Sequence, residues 1–103
     1  MNDQEKKYLQ EIIARAIADG CVVSVDDGED TPITCSRDAE AILSHLGHCE
    51  EEWLVLHNNI GRNYVGRVFL VYGNEPDELV CDYGWQTEFG EGRMKAIVGE
   101  YQA

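Results

Sequence analysis

Val68-Phe69-Leu70-Val71-Tyr72 is the longest apolar run in the chain, and its reading decides the fold. It falls far short of the roughly 20 apolar residues a helix needs to cross a bilayer. It is rich in β-branched and aromatic side chains, which favour a strand. Extended back to Tyr64, the run is bounded by Asn58-Asn59-Ile60-Gly61-Arg62-Asn63 and by Gly73-Asn74-Glu75-Pro76-Asp77, both of turn composition. Beyond these turns lie two more strand patterns, Trp53-Leu54-Val55-Leu56-His57 and Glu78-Leu79-Val80-Cys81-Asp82-Tyr83. Short connections make sequential strands antiparallel neighbours, so the three form a meander with Tyr64 to Tyr72 in the middle. Side chains alternate across a strand, which sends Val68, Leu70 and Tyr72 one way and Phe69 and Val71 the other. Both sets are apolar. Helices on one side alone leave one set in water, so the second face calls for further helices or for a second copy of the chain.

Outward from the meander, Leu9, Ile12, Ile13, Ala16 and Ile17 repeat on a helical period and predict an amphipathic helix over residues 4–19, ended by Gly20. Cys21-Val22-Val23-Ser24-Val25 predicts a strand and Asp26-Asp27-Gly28-Glu29-Asp30 a turn. Pro32-Ile33-Thr34-Cys35 predicts a short edge strand, because proline cannot donate to a ladder. Ser36 is the expected N-cap of a second helix, with Asp38 in its first turn, an apolar stripe of Ala39, Ile42, Leu43 and Leu46, and Gly47 at its end. Met94, Ile97, Val98 and Tyr101 predict a third helix between Thr87 and Tyr101, weakened by Gly90, Gly92 and Gly99. The expected fold class is α+β: an antiparallel sheet of about four to five strands packed with two to three helices, in the order α-β-β-α-β-β-β-α.

A chain of 103 residues is one domain, residues 1–103, and an apolar share of 44% suffices for one modest core. Its formal net charge is -12. Such a charge argues against direct binding to nucleic acid or to an anionic membrane, since both present phosphates. The opening residues show neither the basic start nor the apolar run of a signal peptide, so the expected compartment is the cytoplasm. There the four cysteines, Cys21, Cys35, Cys49 and Cys81, are expected as reduced, mostly buried thiols.

The charge is concentrated. Residues 19–52 hold ten acids (Asp19, Asp26, Asp27, Glu29, Asp30, Asp38, Glu40, Glu50, Glu51 and Glu52) against Arg37 alone, for a net -9. Asp26 to Asp30 fall on a turn and Glu50 to Glu52 between a helix and a strand, places where carboxylates are ionised and at the surface. The bland reading is a solvated surface. The sharper one is a face for a basic partner, and Asp26, Asp27, Glu29, Asp30, Asp38, Glu40, Glu50, Glu51 and Glu52 are its candidate residues. Trp85, just past a strand end after Gly84, is a further candidate, because Trp is enriched at interface hot spots.

Catalytic and metal-binding patterns are weak. Cys35, His45, His48 and Cys49 carry zinc-type ligands, but no Cys-x-x-Cys or other common zinc spacing is present. Asp26 to Asp30 lack the EF-hand frame. Cys81 and His57 form a nucleophile–base pair only if their strands touch, and the strand between them argues against it. Gly90-Glu91-Gly92-Arg93 lacks the Gly-Lys-Ser/Thr of a phosphate loop, and Glu88 with Glu91 are two carboxylates among 20 acids. The chain is therefore expected to be no enzyme, with no cofactor and no metal.

The stretch Val68-Phe69-Leu70-Val71-Tyr72-Gly73-Asn74 followed by Val80-Cys81-Asp82-Tyr83 resembles small uncharacterised proteins of proteobacterial and prophage genomes, which share this strand–"VYGN"–strand–"DY" ending after a helix-led first half. The resemblance implies a fold and a mobile-element origin, with no catalytic residues. By analogy with small acidic phage proteins, it implies an inhibitor that occupies the DNA or RNA site of a host nucleic-acid-binding or defence protein. A structural homodimer module and a Cys/His metal-binding protein remain the alternative expectations.

Overall fold

The computed structural model describes residues 1–73, 78–86 and 90–99. Its elements are α1 (Asp3–Ala18), β1 (Cys21–Asp26), β2 (Ile33–Ser36), α2 (Ala39–Ser44), β3 (Glu51–Asn58), β4 (Tyr64–Val71), β5 (Val80–Trp85) and α3 (Gly90–Val98). This is the α+β order read from the sequence. The five strands form one antiparallel sheet in the order β2-β1-β3-β4-β5. The meander is therefore extended through β3 by the N-terminal hairpin, and Pro32 precedes an edge strand.

All three helices cover the same face. Leu9, Ile12, Ile13 and Ala16 of α1, Ile42 of α2 with Leu46 just past it, and Met94, Ile97 and Val98 of α3 share one buried cluster with strand residues. The strand contributors are Cys21, Val23, Val25, Leu54, Leu56, Val65, Val68, Leu70 and Val80. Apart from Val65, beside the β3–β4 register shift, these alternate along each strand. Val22 is buried yet outside this cluster, because it points to the other face. That face carries Trp53, Val55, His57, Arg67, Phe69 and Val71, and no described helix lies on it. Of the two expected ways to cover that face, further helices or a second copy of the chain, the helices are not found among the described residues.

Local chemistry explains the helix ends. Asn2 and Glu5 form a reciprocal capping box on α1: the Glu5 amide donates to Asn2 Oδ1 at 2.8 Å and the Asn2 amide to Glu5 Oε1 at 2.9 Å. Gly20 takes φ +89°, which lets the chain turn from α1 straight into β1. For α2 the cap is Asp38 rather than the expected Ser36. Ser36 pairs with Val23 in the sheet and its hydroxyl accepts from the Asp38 amide, while Asp38 Oδ1 accepts from Glu40 and Ala41. The helix stops at Ser44, before Gly47, and Ala39 of the expected stripe is exposed. For α3 the expected ends Thr87 and Tyr101 lie outside the described residues. Arg15 of α1 donates to the Ile97 and Val98 carbonyls at 2.7 and 3.1 Å, closing α3 with a cation where the helix dipole favours one.

The helix layer sits close to the sheet at Gly66. A Cβ there would collide with the Gly84 carbonyl oxygen of β5 and stand 2.7 Å from Met94 Sδ of α3. The backbone oxygen cannot give way without breaking the β4–β5 ladder. Gly66→Ala is expected to lower unfolding stability by about 2–4 kcal/mol, read as a lower urea midpoint at unchanged slope. A midpoint equal to that of the parent would show that the layers can part without cost.

Candidate partner-binding surfaces

The acidic hairpin is built by its own side chains. Asp26 Oδ1 accepts from the Gly28 amide at 2.8 Å. Asp27 Oδ1 accepts from Glu29 and Asp30 at 2.9 and 2.7 Å, and the Asp27 amide donates to the Asp30 carbonyl at 3.0 Å. These backbone donors hold the Asp27 carboxyl below the usual carboxylate range, so it stays ionised. Because β1 and β3 run antiparallel with Asp26 opposite Trp53, the hairpin tip and the start of β3 lie at the same end of the sheet. The Cys49 thiol senses both: desolvation first, then the charges of Asp27, Glu52 and Glu29, push it upward. Asp26, Asp27, Glu29, Asp30, Glu50 and Glu51 thus converge on one end, with Glu29, Asp30, Glu50 and Glu51 exposed and Asp26 and Asp27 half-buried. Glu78, just before β5, joins them.

The other candidates go elsewhere. Glu52 is 1% exposed and is not a surface carboxylate. It shares strand parity with Leu54 and Leu56, which turns it toward the helices, where Oε1 accepts the Gly47 amide at 2.6 Å. The acidic run Glu50 to Glu52 hid an alternation that marks Glu52 as inward. Glu5, also 1% exposed, accepts the Gly73 amide through Oε2 at 3.1 Å besides capping α1. These two carboxylates fasten the loops after α2 and after β4 to the fold, and each satisfies an otherwise unpaired N–H. Asp38 and Glu40 belong to the first turn of α2, and Glu40 lines a groove against Lys6 and Gln10 of α1. They are on the helix side, apart from the hairpin.

Trp85 is the last residue of β5, pairs with Gly66 and is 41% exposed. The expectation that it lies past the strand end does not hold. It packs toward the start of α3, where a Cβ on Gly90 would come within 2.9 Å of its own. Register puts it at the far end of the sheet and on the edge opposite the hairpin, so Trp85 and the acidic end are separate surfaces.

Four arginines gather toward that far end. Arg37 donates to the Ile17 carbonyl, Arg15 to the end of α3, and Arg93 pairs with Asp19, while Arg62 stands in the β3–β4 loop. Toward the acidic end the bases among the described residues are Lys6 and Lys7, on α1 in the helix layer. The molecule is electrically polarised along its strands.

The remaining chemistry does not assemble among the described residues. No group of three or more His, Cys, Asp or Glu is placed to hold a metal, and Cys35, His45, His48 and Cys49 do not converge. Cys35 lies in the β2 irregularity at φ +48°, with its amide donating to Ser24 Oγ at 2.9 Å. All four cysteines are free; Cys21 is buried and Cys35 half-buried, but Cys49 and Cys81 are exposed, contrary to the expectation of mostly buried thiols. Strand β4 separates Cys81 from His57, whose ring stands edge-on to Tyr64. Glu91 pairs with Lys95 at 2.9 Å across one helical turn, and Glu88 and Phe89 lie outside the described residues. No described helix is long and apolar enough to cross a membrane.

Comparison with family models, with curated proteins and with solved structures finds no match. None of the three comparisons supplies a function.

Two measurements check the buried end of the sheet. Glu52→Ala strands the Gly47 amide and is expected to cost about 1–3 kcal/mol in urea unfolding, whereas Glu52→Gln keeps an acceptor and costs less. Equal losses would mean that charge, not the hydrogen bond, is what matters there. Burial, and then the neighbouring Glu52 carboxylate, push the Tyr72 phenol far above its ordinary value. Below about pH 10 both folded and unfolded chains keep that proton, and above it only the unfolded chain releases it. Stability is thus expected to fall as pH rises past about 10, and less so in Tyr72→Phe. Parallel pH profiles for the two proteins would show that Tyr72 ionises freely in the fold.

Proposed function

We propose that this protein is a non-catalytic binding protein that presents its acidic end to a basic surface on another protein, and inhibits it by occupying a nucleic-acid site. The carrying observation is the convergence of Asp26, Asp27, Glu29, Asp30, Glu50 and Glu51 on one end of the sheet, with the arginines drawn toward the other. Carboxylates on a braced turn resemble the regularly spaced phosphates of a nucleic acid, about one per 3.4 Å along a strand. A polarised molecule also orients itself as it approaches a cationic groove. The likeness of the VYGN and DY segments to prophage proteins supports a host nucleic-acid-binding or defence protein as the target, and a cytoplasmic encounter. Glu52 drops out of the binding set because it is buried, and Asp38, Glu40 and Trp85 drop out because they face elsewhere.

The test is a capture experiment from host lysate at low and high salt, with and without competing duplex DNA. Nucleic-acid-binding proteins retained at low salt, released by salt and displaced by DNA are the expected result. The matched variant is Asp26→Asn, Asp27→Asn, Glu29→Gln and Asp30→Asn together. Asparagine keeps the Oδ1 acceptors that build the hairpin while removing the charge, so the fold is expected to persist and the capture to be lost. Capture by the variant with an unchanged salt dependence would end the proposal.

A further inference from the structure

The open face of the sheet has its own chemistry, and it meets the acidic end at Glu51. At its centre the Trp53 and Phe69 rings stack with centroids 4.3 Å apart, and the Arg67 guanidinium lies 4.7 Å above the Trp53 ring. Val55, directly opposite Arg67, extends this apolar centre. Arg67 is exposed and forms no ion pair among the described residues. Asp82, which pairs with Phe69 in the register and so shares this face, is exposed one strand away. The face is apolar in the middle with one cation and one anion side by side.

We propose that this face is covered by a second copy of the chain in a two-fold dimer. A closed dimer of this kind requires a patch that complements itself. A two-fold axis lying in the face and crossing β3 and β4 between the Val55/Arg67 pair and the Trp53/Phe69 pair meets that requirement. It lays Arg67 over Phe69 of the partner subunit, beside Asp82 of the partner subunit. The same axis reverses the strand direction of the second copy. The acidic end of each copy then lies over the arginine-bearing end of the other, and two chains of net charge -12 meet with their dipoles opposed. Other occupants fit less well. A basic partner meets a cation at the centre of the face, and an anionic one meets the carboxylates at its border. Five strands about 4.8 Å apart and about 20 Å long give the face a plan area of about 500 Å², so the side chains bordering it must join the contact to reach the roughly 800 Å² that each side of a stable interface buries. In such a dimer Glu51, which lies on the covered face, is drawn into the interface, so the proposed capture of a basic protein then rests on the hairpin acids and Glu50.

Sedimentation equilibrium of the purified full chain, over micromolar to millimolar concentration, tests this without any partner. The expected result is the mass of two chains. Arg67→Asp and Asp82→Arg are each expected to weaken the dimer about tenfold or more, and the two together to return within about threefold of the parent. Phe69→Asp, with its fold verified by circular dichroism, is expected to be a monomer. A parent at the mass of one chain throughout the range would overturn the proposal. So would a dimer indifferent to Phe69→Asp, and single reversals that the double variant fails to rescue would overturn the assigned axis.

Discussion

The β3–β4 ladder is the constraint through which the rest of this structure is organised. It pairs Glu51 with Val71, Trp53 with Phe69, Leu54 with Val68 and Val55 with Arg67 without interruption until the shift beyond Leu56. A slip of β4 by one residue against β3 would turn every side chain of β4 to the opposite face. Val68 and Leu70 would leave the helix layer, and Phe69 and Arg67 would enter it. The cost of burying Arg67 unpaired beneath the helix layer excludes that alternative. The register thus selects at one stroke the core, the open face, and which of the neighbouring acids Glu51 and Glu52 meets water.

Much of this architecture is legible in the chain because local signals agree. The helical stripe from Leu9 to Ile17, the glycine after it, and the turns on either side of β4 each specify an element on their own. What escapes the linear reading is the placement of elements side by side. Insertion of β1 between β2 and β3 needs the long-range pairing of Val23 with Leu56, which no local pattern encodes. The α2 cap shifts from Ser36 to Asp38 because sheet pairing claims Ser36 first. At the candidate site, the convergence of the hairpin with Glu50 and Glu51 comes from that same β1–β3 pairing. Trp85 separates from it for the complementary reason, since β5 runs away from the hairpin on the far edge.

Glu52 shows why a charge run is a poor guide to a surface. Three consecutive glutamates look equivalent in composition, yet a strand alternates, and two successive residues within it cannot share a face. Glu50 precedes the strand, Glu51 points to the open side, and Glu52 turns inward to the Gly47 amide. Glu5 does the same from the first turn of α1, reaching Gly73 across the fold. A buried carboxylate is tolerable only when donors surround it. Here the donors are backbone amides in the two loops that frame the acidic end. Part of the acidity of the chain is therefore internal and holds the end of the sheet together.

This bracing bears on what the exposed carboxylates can do. Association costs the freedom of every group that it orders, and a charged loop that moved freely would lose much of its Coulomb gain in being fixed. The hairpin has already met that cost on folding: Asp26 and Asp27 each hold backbone amides of the turn, which fixes their positions relative to Glu29 and Asp30. Glu50 is anchored from the other side, its carbonyl accepting the Tyr72 amide at 3.1 Å. The carboxylates of Asp26 and Asp27 are thus fixed, and the backbone that carries Glu29, Asp30 and Glu50 is fixed beside them. A fixed array discriminates between cationic surfaces by spacing, where a mobile one would respond only to total charge. On the proposed function that spacing is what a basic partner would read, and it rests on the hydrogen bonds that Asp26 and Asp27 make to their own backbone.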